Sequence, residues 1–234
     1  MKTLRGSVGF SKQPYFKQEE IEQLCNRELQ ETGLFPLSPA PVRIERFIEK
    51  RFGITPEYGE LPEGVLGYTR FGQTGVEGMV ISRRLSEEAS KVAERRINTT
   101  LAHEAGHGLL HTYLFVLDAD SASLFDHSPD ATPGKVLCRE DRGSATGKKT
   151  YSGRWWEYQA NCVMGSILLP RKLIAVCLAS LLEKTGLFET TTLPVRNRDA
   201  AVRLISETFD VNHAVATIRV GQLFAAGGEK QLTL

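Results

Sequence analysis

The chain contains no run of about 18 apolar residues, the length a membrane-spanning helix needs. The nearest approach, residues 166–182, is broken by Pro170, Arg171 and Lys172. It has no surplus of charge either: 29 Lys and Arg stand against 28 Asp and Glu, a formal net charge of +1. No global field therefore points to nucleic acid or to an anionic membrane surface. Cysteine is sparse, with four residues at 25, 138, 162 and 177 and no CxxC pair. That excludes a disulfide framework and a cysteine-rich zinc site, and it reads as free thiols in a reducing compartment. The opening Met1-Lys2-Thr3-Leu4-Arg5-Gly6 lacks the apolar core of a secretory signal. No internal repeat is visible. The expectation is a cytoplasmic protein with no membrane partner.

What remains is an ordinary globular composition, 41% hydrophobic and 24% charged over 234 residues, enough for one sizeable core. The turn and periodicity signals predict a flexible tail over 1–16, a single domain over 17–225, and a frayed end over 226–234. Helical spacing runs from Gln18 to Thr32, with Gly33 where a C-cap belongs. A second helix, Val42 to Phe52, stops at Gly53. Strands are predicted at 65–71 and 78–82, with Gly72-Gln73-Thr74-Gly75 as the hairpin loop between them. A helix from Ser86 opens with Ser-Glu-Glu-Ala, a capping pattern with acids in the first turn. Residues 118–150 are rich in Asp, Ser, Pro, Gly and Lys, and are predicted to form a flexible insertion, a mobile surface loop or a lid. Helices follow at 153–168, 173–182, 199–209 and 212–224.

One stretch stands apart: Leu101-Ala102-His103-Glu104-Ala105-Gly106-His107-Gly108-Leu109-Leu110-His111. Ile97, Leu101, Ala105 and Leu109 fall at helical period. On a helix His103 and His107, four apart, share one face. Two imidazoles so placed can hold one zinc ion, and the intervening Glu104 is positioned to act as general base. Gly106 and Gly108 each weaken a helix interior by about 1 kcal/mol relative to Ala. Their presence implies close approach of another backbone, or room for a substrate.

A catalytic zinc site needs a third protein ligand and an open position. His111 lies eight residues past His103, about 12 Å along a helix, too far for both to ligate one ion symmetrically. The metzincin spacing would place a histidine at position 113, which is Tyr113. His111 is therefore expected to lie behind the ligands, to face substrate, or to be a satisfied structural histidine. Trp155-Trp156-Glu157-Tyr158-Gln159-Ala160-Asn161 offers a better candidate. Glu157 could supply a carboxylate oxygen. Asn161, on the same face, could accept from the distal N–H of a ligand histidine and fix its tautomer, or face substrate. Ala160 permits close packing against a glycine-bearing helix. His127, Asp118, Asp120, Asp126 and Glu140 are rival ligands, on a segment ill suited to holding one rigidly.

With these residues in place the chain resembles the ImmA/IrrE family of zinc metallo-endopeptidases. The likeness rests on His103-Glu-Ala-Gly-His107 followed by Leu109-Leu110-His111, on Glu157-x-x-Ala160-Asn161, and on Leu168-Leu169-Pro170. Thr100-Leu101-Ala102 and Arg96 fit the lead-in. Pro41-Val42-x-Ile44 to Phe52-Gly53-Ile54 resembles the opening helix of the family. Phe209-Asp210-Val211 to Ala214, with Ile218-Arg219-Val220, resembles its closing helices. The long 118–150 insertion and Asn98-Thr99 depart from the pattern. The resemblance implies an α+β fold: a mostly helical, thermolysin-like core with a small antiparallel or mixed sheet beside the HExxH helix. It also implies one zinc ion held by His103, His107 and Glu157, and cleavage or displacement of a helix-turn-helix repressor or antitoxin-like regulator. No helix-turn-helix or basic reading face is present in this chain, so direct nucleic-acid binding is not expected.

In the mechanism this suggests, Glu104 takes a proton from the attacking water and returns it to the leaving amine. His111, Tyr113, Tyr151 and Arg154 are candidate oxyanion donors. A substrate peptide is expected to add as a strand along residues 78–82. The competing reading is a non-catalytic regulatory module whose metal site is structural and which acts by contact. A third is a globular domain with an accidental HExxH.

Overall fold

The structure, a computed structural model, describes residues 2–4, 13–113, 135–139, 155–185 and 190–224. Over these residues the chain is α+β and mostly helical, with a small mixed sheet beside the helix that carries His103 and His107. This is the expected fold class. Within the segment predicted as a tail, β1 (Lys2–Leu4) runs antiparallel to β2 (Gln13–Tyr15). Two short strands with no apolar stripe give little periodicity to read. The predicted C-terminal fraying lies outside the described residues.

Helix α1 (Gln18–Glu31) buries Ile21, Cys25 and Leu29, as its spacing implies, and ends at Thr32. Helix α2 (Ile44–Phe52) buries Ile44, Phe47 and Ile48 and is closed by Gly53 at φ 70°. That left-handed conformation is open to glycine without strain. Next come β3 (Glu57–Gly59), β4 (Val65–Gly72) and β5 (Gly75–Ser82). β4 and β5 form the hairpin, and β4 alternates strictly, turning Val65, Gly67, Thr69 and Phe71 inward.

The sheet contains a strand the sequence analysis did not anticipate. β6 (Lys135–Arg139) pairs antiparallel with β4 and makes the order β3-β5-β4-β6. It arises inside the segment read as a flexible insertion. Lys-Val-Leu-Cys-Arg is that segment's short apolar run, and the hydrogen-bonding edge of β4 was available to take it. A second correction concerns substrate docking. Val80, Ile81 and Ser82 pair in parallel with Glu57, Tyr58 and Gly59 on one side, and β5 pairs with β4 on the other. The stretch 80–82 is therefore not a free edge.

After a short α3 (Arg83–Glu87), helix α4 runs unbroken over Lys91–Leu110. Its cap is Ser90, whose side chain accepts from the Ala93 backbone N–H at 3.1 Å. The predicted start at Ser86 is thus corrected: the chain turns at Glu88 and Ala89, and the cap that forms is the one at the true bend. From Thr100 to Gly108 every residue of α4 is buried, because the sheet covers one side and helices the others. Helix α5 (Trp155–Leu168) packs against α4 and α1. Leu169 and Pro170 break it, and α6 (Arg171–Cys177) follows at a bend of 48°. β7 (Glu183–Thr185) pairs with β8 (Thr190–Thr192), and α7 (Arg198–Thr208) and α8 (His213–Leu223) close the chain.

The core joins Ile21, Phe47, Ile48, Met79, Ile81, Leu101, Ala105, Val163 and Ile167. A buried ionic knot ties its far side. Arg219, only 1% exposed, meets Glu22 at 3.0 Å and donates to the Leu169 carbonyl at 3.2 Å. Arg171 meets the same Glu22 at 2.7 Å. Among the described residues no single helix is long and apolar enough to cross a membrane. The bent α5–α6 pair is apolar, but its Ile167, Leu168, Leu169 and Ile174 are core residues.

Candidate metal centre

The site is created by a helix crossing that leaves no space for side chains. A Cβ added at Gly106 would lie 2.9 Å from the Ala160 Cα and 3.0 Å from its carbonyl oxygen. Helices α4 and α5 therefore meet backbone to backbone, the close approach that Gly106 and Ala160 imply. Gly108 serves a different neighbour, since a Cβ there would sit 2.8 Å from the Phe52 ring. With the backbones in contact, residues flanking Ala160 reach the histidines of α4.

Four contacts between the two helices follow. The Glu157 carboxylate lies 3.2 Å from His103 Nε2 and 3.8 Å from His107 Nε2. Asn161 Oδ1 lies 3.1 Å from His103 Nδ1. Gln159 Oε1 lies 3.2 Å from His111 Nε2. The two Nε2 atoms of His103 and His107 are 3.1 Å apart, while His107 Nδ1 contacts His111 Nδ1 at 2.9 Å. Each ligand-candidate ring thus has its Nδ1 engaged outward and its Nε2 turned to the centre.

That arrangement tests whether a metal fits. Four ligands at about 2.05 Å around a tetrahedral zinc stand roughly 3.3 Å from one another. The separations of 3.1, 3.2 and 3.8 Å lie around that value. Two ring nitrogens facing each other need a cation or a proton between them, and two imidazoles with one carboxylate suit a borderline ion such as zinc. His103, His107 and Glu157 could hold a metal ion.

Glu104 sits beside this group, fully buried. The Thr69 hydroxyl on β4 donates to its Oε2 at 2.6 Å, and its Oε1 is buried without a partner. Burial pushes the carboxyl up to about 7, against the pull of His103 and the Thr69 hydroxyl. A divalent cation nearby would lower it again. Burial, then the neighbouring His103 and His111, hold His107 well below the usual imidazole range. His111 is lowered to about 4, chiefly by burial. Both are neutral at pH 7, as ligation and hydrogen bonding require. Burial acts to lower His103 as well, but the Glu157 hydrogen bond and the charges of Glu104 and Glu157 leave it raised.

His111 lies behind His107, away from the ligand group. Both its ring nitrogens are engaged, so it offers no free N–H to a substrate. The Tyr113 hydroxyl is buried and without a partner. Tyr151, Arg154, His127, Asp118, Asp120, Asp126 and Glu140 lie outside the described residues. Two contributors escaped the sequence reading. Thr69 is a hydroxyl residue on the inward face Val65-Gly67-Thr69-Phe71, a legible break in an apolar stripe. Gln159 carried no such signal, because a glutamine on a helix is normally solvated. The chain matches no family model, and no curated protein or solved structure matches it.

Proposed function

We propose that this chain is a zinc-dependent endopeptidase of the ImmA/IrrE kind, working in the cytoplasm on a protein partner, a helix-turn-helix repressor or antitoxin-like regulator. The observation that carries the reading is the unpartnered Glu104 Oε1 beside three inward-turned donors from two helices, His103, His107 and Glu157. Support also comes from the motif pattern around His103-Glu104-x-x-His107 and Glu157-x-x-Ala160-Asn161.

Zinc, when bound, supplies a Lewis acid that brings the pKa of the water it holds to about 7. The protein's own residues do the rest. Oε2 of Glu104 is held by Thr69, so Oε1 is left free to accept the water's proton and later deliver it to the leaving amine. Asn161 keeps His103 turned with Nε2 inward. The side chain of Glu157 is 24% exposed, and it marks the side from which a peptide would approach.

The test uses purified chain with a neighbouring repressor-like protein as substrate. Glu104→Gln is expected to retain zinc and lose cleavage by about 10²–10⁴-fold. His103→Ala is expected to lose zinc and cleavage together. Unchanged proteolysis in Glu104→Gln would remove the proposed base.

A contact-only regulator is favoured by one feature: His107 and Glu104 are wholly covered, as in closed structural sites. That reading predicts regulation of the partner that survives Glu104→Gln without any cut product.

A further inference from the structure

Behind His107, on the side away from the ligand group, lies a buried chain of three side chains. His107 and His111 are each 0% exposed and Gln159 is 1% exposed, so water cannot stand in for any of them. His107 Nδ1 meets His111 Nδ1 at 2.9 Å, and His111 Nε2 meets Gln159 Oε1 at 3.2 Å. The Trp155 ring lies edge-on to His111, centroids 5.5 Å apart at 79°, and fixes the imidazole plane. Nothing in HExxH chemistry calls for a third histidine or for this glutamine.

We propose that Gln159 is a positioning residue for the metal: through His111 it fixes the proton of His107 on Nδ1 and keeps Nε2 bare toward the ligand group. The inference rests on the metal-site reading above. Its logic is an alternation of donors and acceptors. An amide oxygen only accepts, so His111 must carry its proton on Nε2. In a neutral ring the Nδ1 of His111 is then a lone pair, which only accepts. His107 must therefore donate from Nδ1, and its neutral ring leaves Nε2 unprotonated. Reversing the Gln159 amide reverses every link and puts a hydrogen on His107 Nε2, where it closes the ligand position. The glutamine thus acts from three links away on a nitrogen it never touches. Its own Nε2 is buried and unpartnered, so the orientation of the amide rests on the contact of its Oε1 with His111 alone.

The experiment uses the full chain. Long-range ¹H–¹⁵N correlation of the imidazoles in the metal-free protein reads the tautomers directly. Zinc affinity is then measured by competition with a chromophoric chelator for wild type, Gln159→Glu and Gln159→Leu, with circular dichroism to confirm folding. Wild-type His107 is expected as the Nδ1–H tautomer. Gln159→Leu, which has no acceptor, is expected to bind zinc 10–100-fold more weakly. Gln159→Glu, which only accepts while its carboxyl is ionised, is expected to keep near-wild-type affinity at alkaline pH. A purely structural role predicts the reverse order, since Leu suits a buried position better than a carboxylate does. An Nε2–H tautomer for wild-type His107, or a folded Gln159→Leu with undiminished affinity, overturns the relay alone. Failure of wild type to take up zinc overturns the metal reading and the relay with it. Should Gln159→Leu not fold, the wild-type tautomer still decides.

Discussion

A carboxylate with one oxygen held and one free is a directed acceptor, and Thr69 is the residue that makes Glu104 one, as the proposed role of base requires. The 2.6 Å hydrogen bond from its hydroxyl to Oε2 favours the charged form, while burial favours the neutral one and brings the group up to about 7. Thr69→Val keeps the shape and removes the donor. Glu104 would then lose the hydroxyl donor on Oε2 in a buried setting, keeping only the Thr69 backbone N–H, at a cost of about 1–3 kcal/mol. Its folded pKa would rise further, so more of it would be protonated at neutral pH. The expected outcome is a lower urea midpoint and an acid limb of the cleavage profile displaced to higher pH. An acid limb that stays where it was would show that Thr69 does not set the base.

At the scale of elements, the α4–α5 crossing shows what glycine contributes here. In a solvated helix Gly→Ala gains about 1 kcal/mol from propensity. At Gly106 the new methyl would meet Ala160 backbone at 2.9 Å, and overpacking of that kind costs roughly 1–3 kcal/mol. Backbone cannot step aside as a flexible side chain can, so the steric loss outweighs the propensity gain. Gly221 in α8 is the matched control, since a Cβ there has nothing within 4 Å. Gly106→Ala is expected to destabilise by up to about 2 kcal/mol and to weaken zinc binding, while Gly221→Ala stabilises by about 0.5–1 kcal/mol; paired thermal melts check both signs. The same crossing bears on what could be read beforehand. α1, α2, β4 and β5 were legible because periodic apolar residues end at Gly33, Gly53 and the Gln73-Thr74 turn. The start of α4 was misplaced because Ser86 and Ser90 both satisfy a capping pattern, and only tertiary packing decides where the chain bends. β6 was missed because a five-residue strand is decided by the open edge that receives it. At the site, His103, His107, Glu104 and Glu157 could be named from spacing and chemistry. Thr69 shows beforehand only as a polar break in the inward face of β4, and Gln159 not at all, because their roles exist only through contacts between elements distant in sequence.

Across the whole molecule, long-range ties hold the two ends of α4 to opposite parts of the chain. At its start, Asp210 meets Lys91 at 2.7 Å and Arg95 at 2.9 Å, fastening the α7–α8 turn. Partial burial acts to raise the Asp210 carboxyl, but the hydrogen bonds from Lys91 and Arg95 prevail and hold it below the usual aspartate range. A depressed folded pKa means the contribution is present above the unfolded pKa and disappears as pH falls through the folded one. Asp210→Asn keeps a side chain that tolerates the φ of 53° found there and removes the charge. Its destabilisation should be small and constant from neutral pH to about 5, should begin to decline near about 4, and should vanish only below the depressed folded pKa; denaturant titrations at each pH measure it.

At its other end, α4 is tied to α5 through the ligand group, and here the connection spans a long stretch of chain. His103 and His107 belong to one helix and Glu157 to another, with residues 111–154 between them. An ion bound by all three would bind the folded state and not the unfolded one, because the donors of the two helices are brought together by the packing of α5 on α4. Mass action then sets the size of the effect. Zinc at 100 times its dissociation constant adds about 2.7 kcal/mol. For a chain of this length that corresponds to a rise in Tm of roughly 5–10 °C. Addition of a chelator should reverse the rise. In His107→Ala or Glu157→Ala, zinc should shift Tm little or not at all, whereas in Glu104→Gln the full shift should persist, since Glu104 is not a ligand in this arrangement. Equal zinc-induced shifts in wild type and Glu157→Ala would mean that the carboxylate on α5 plays no part in holding the ion.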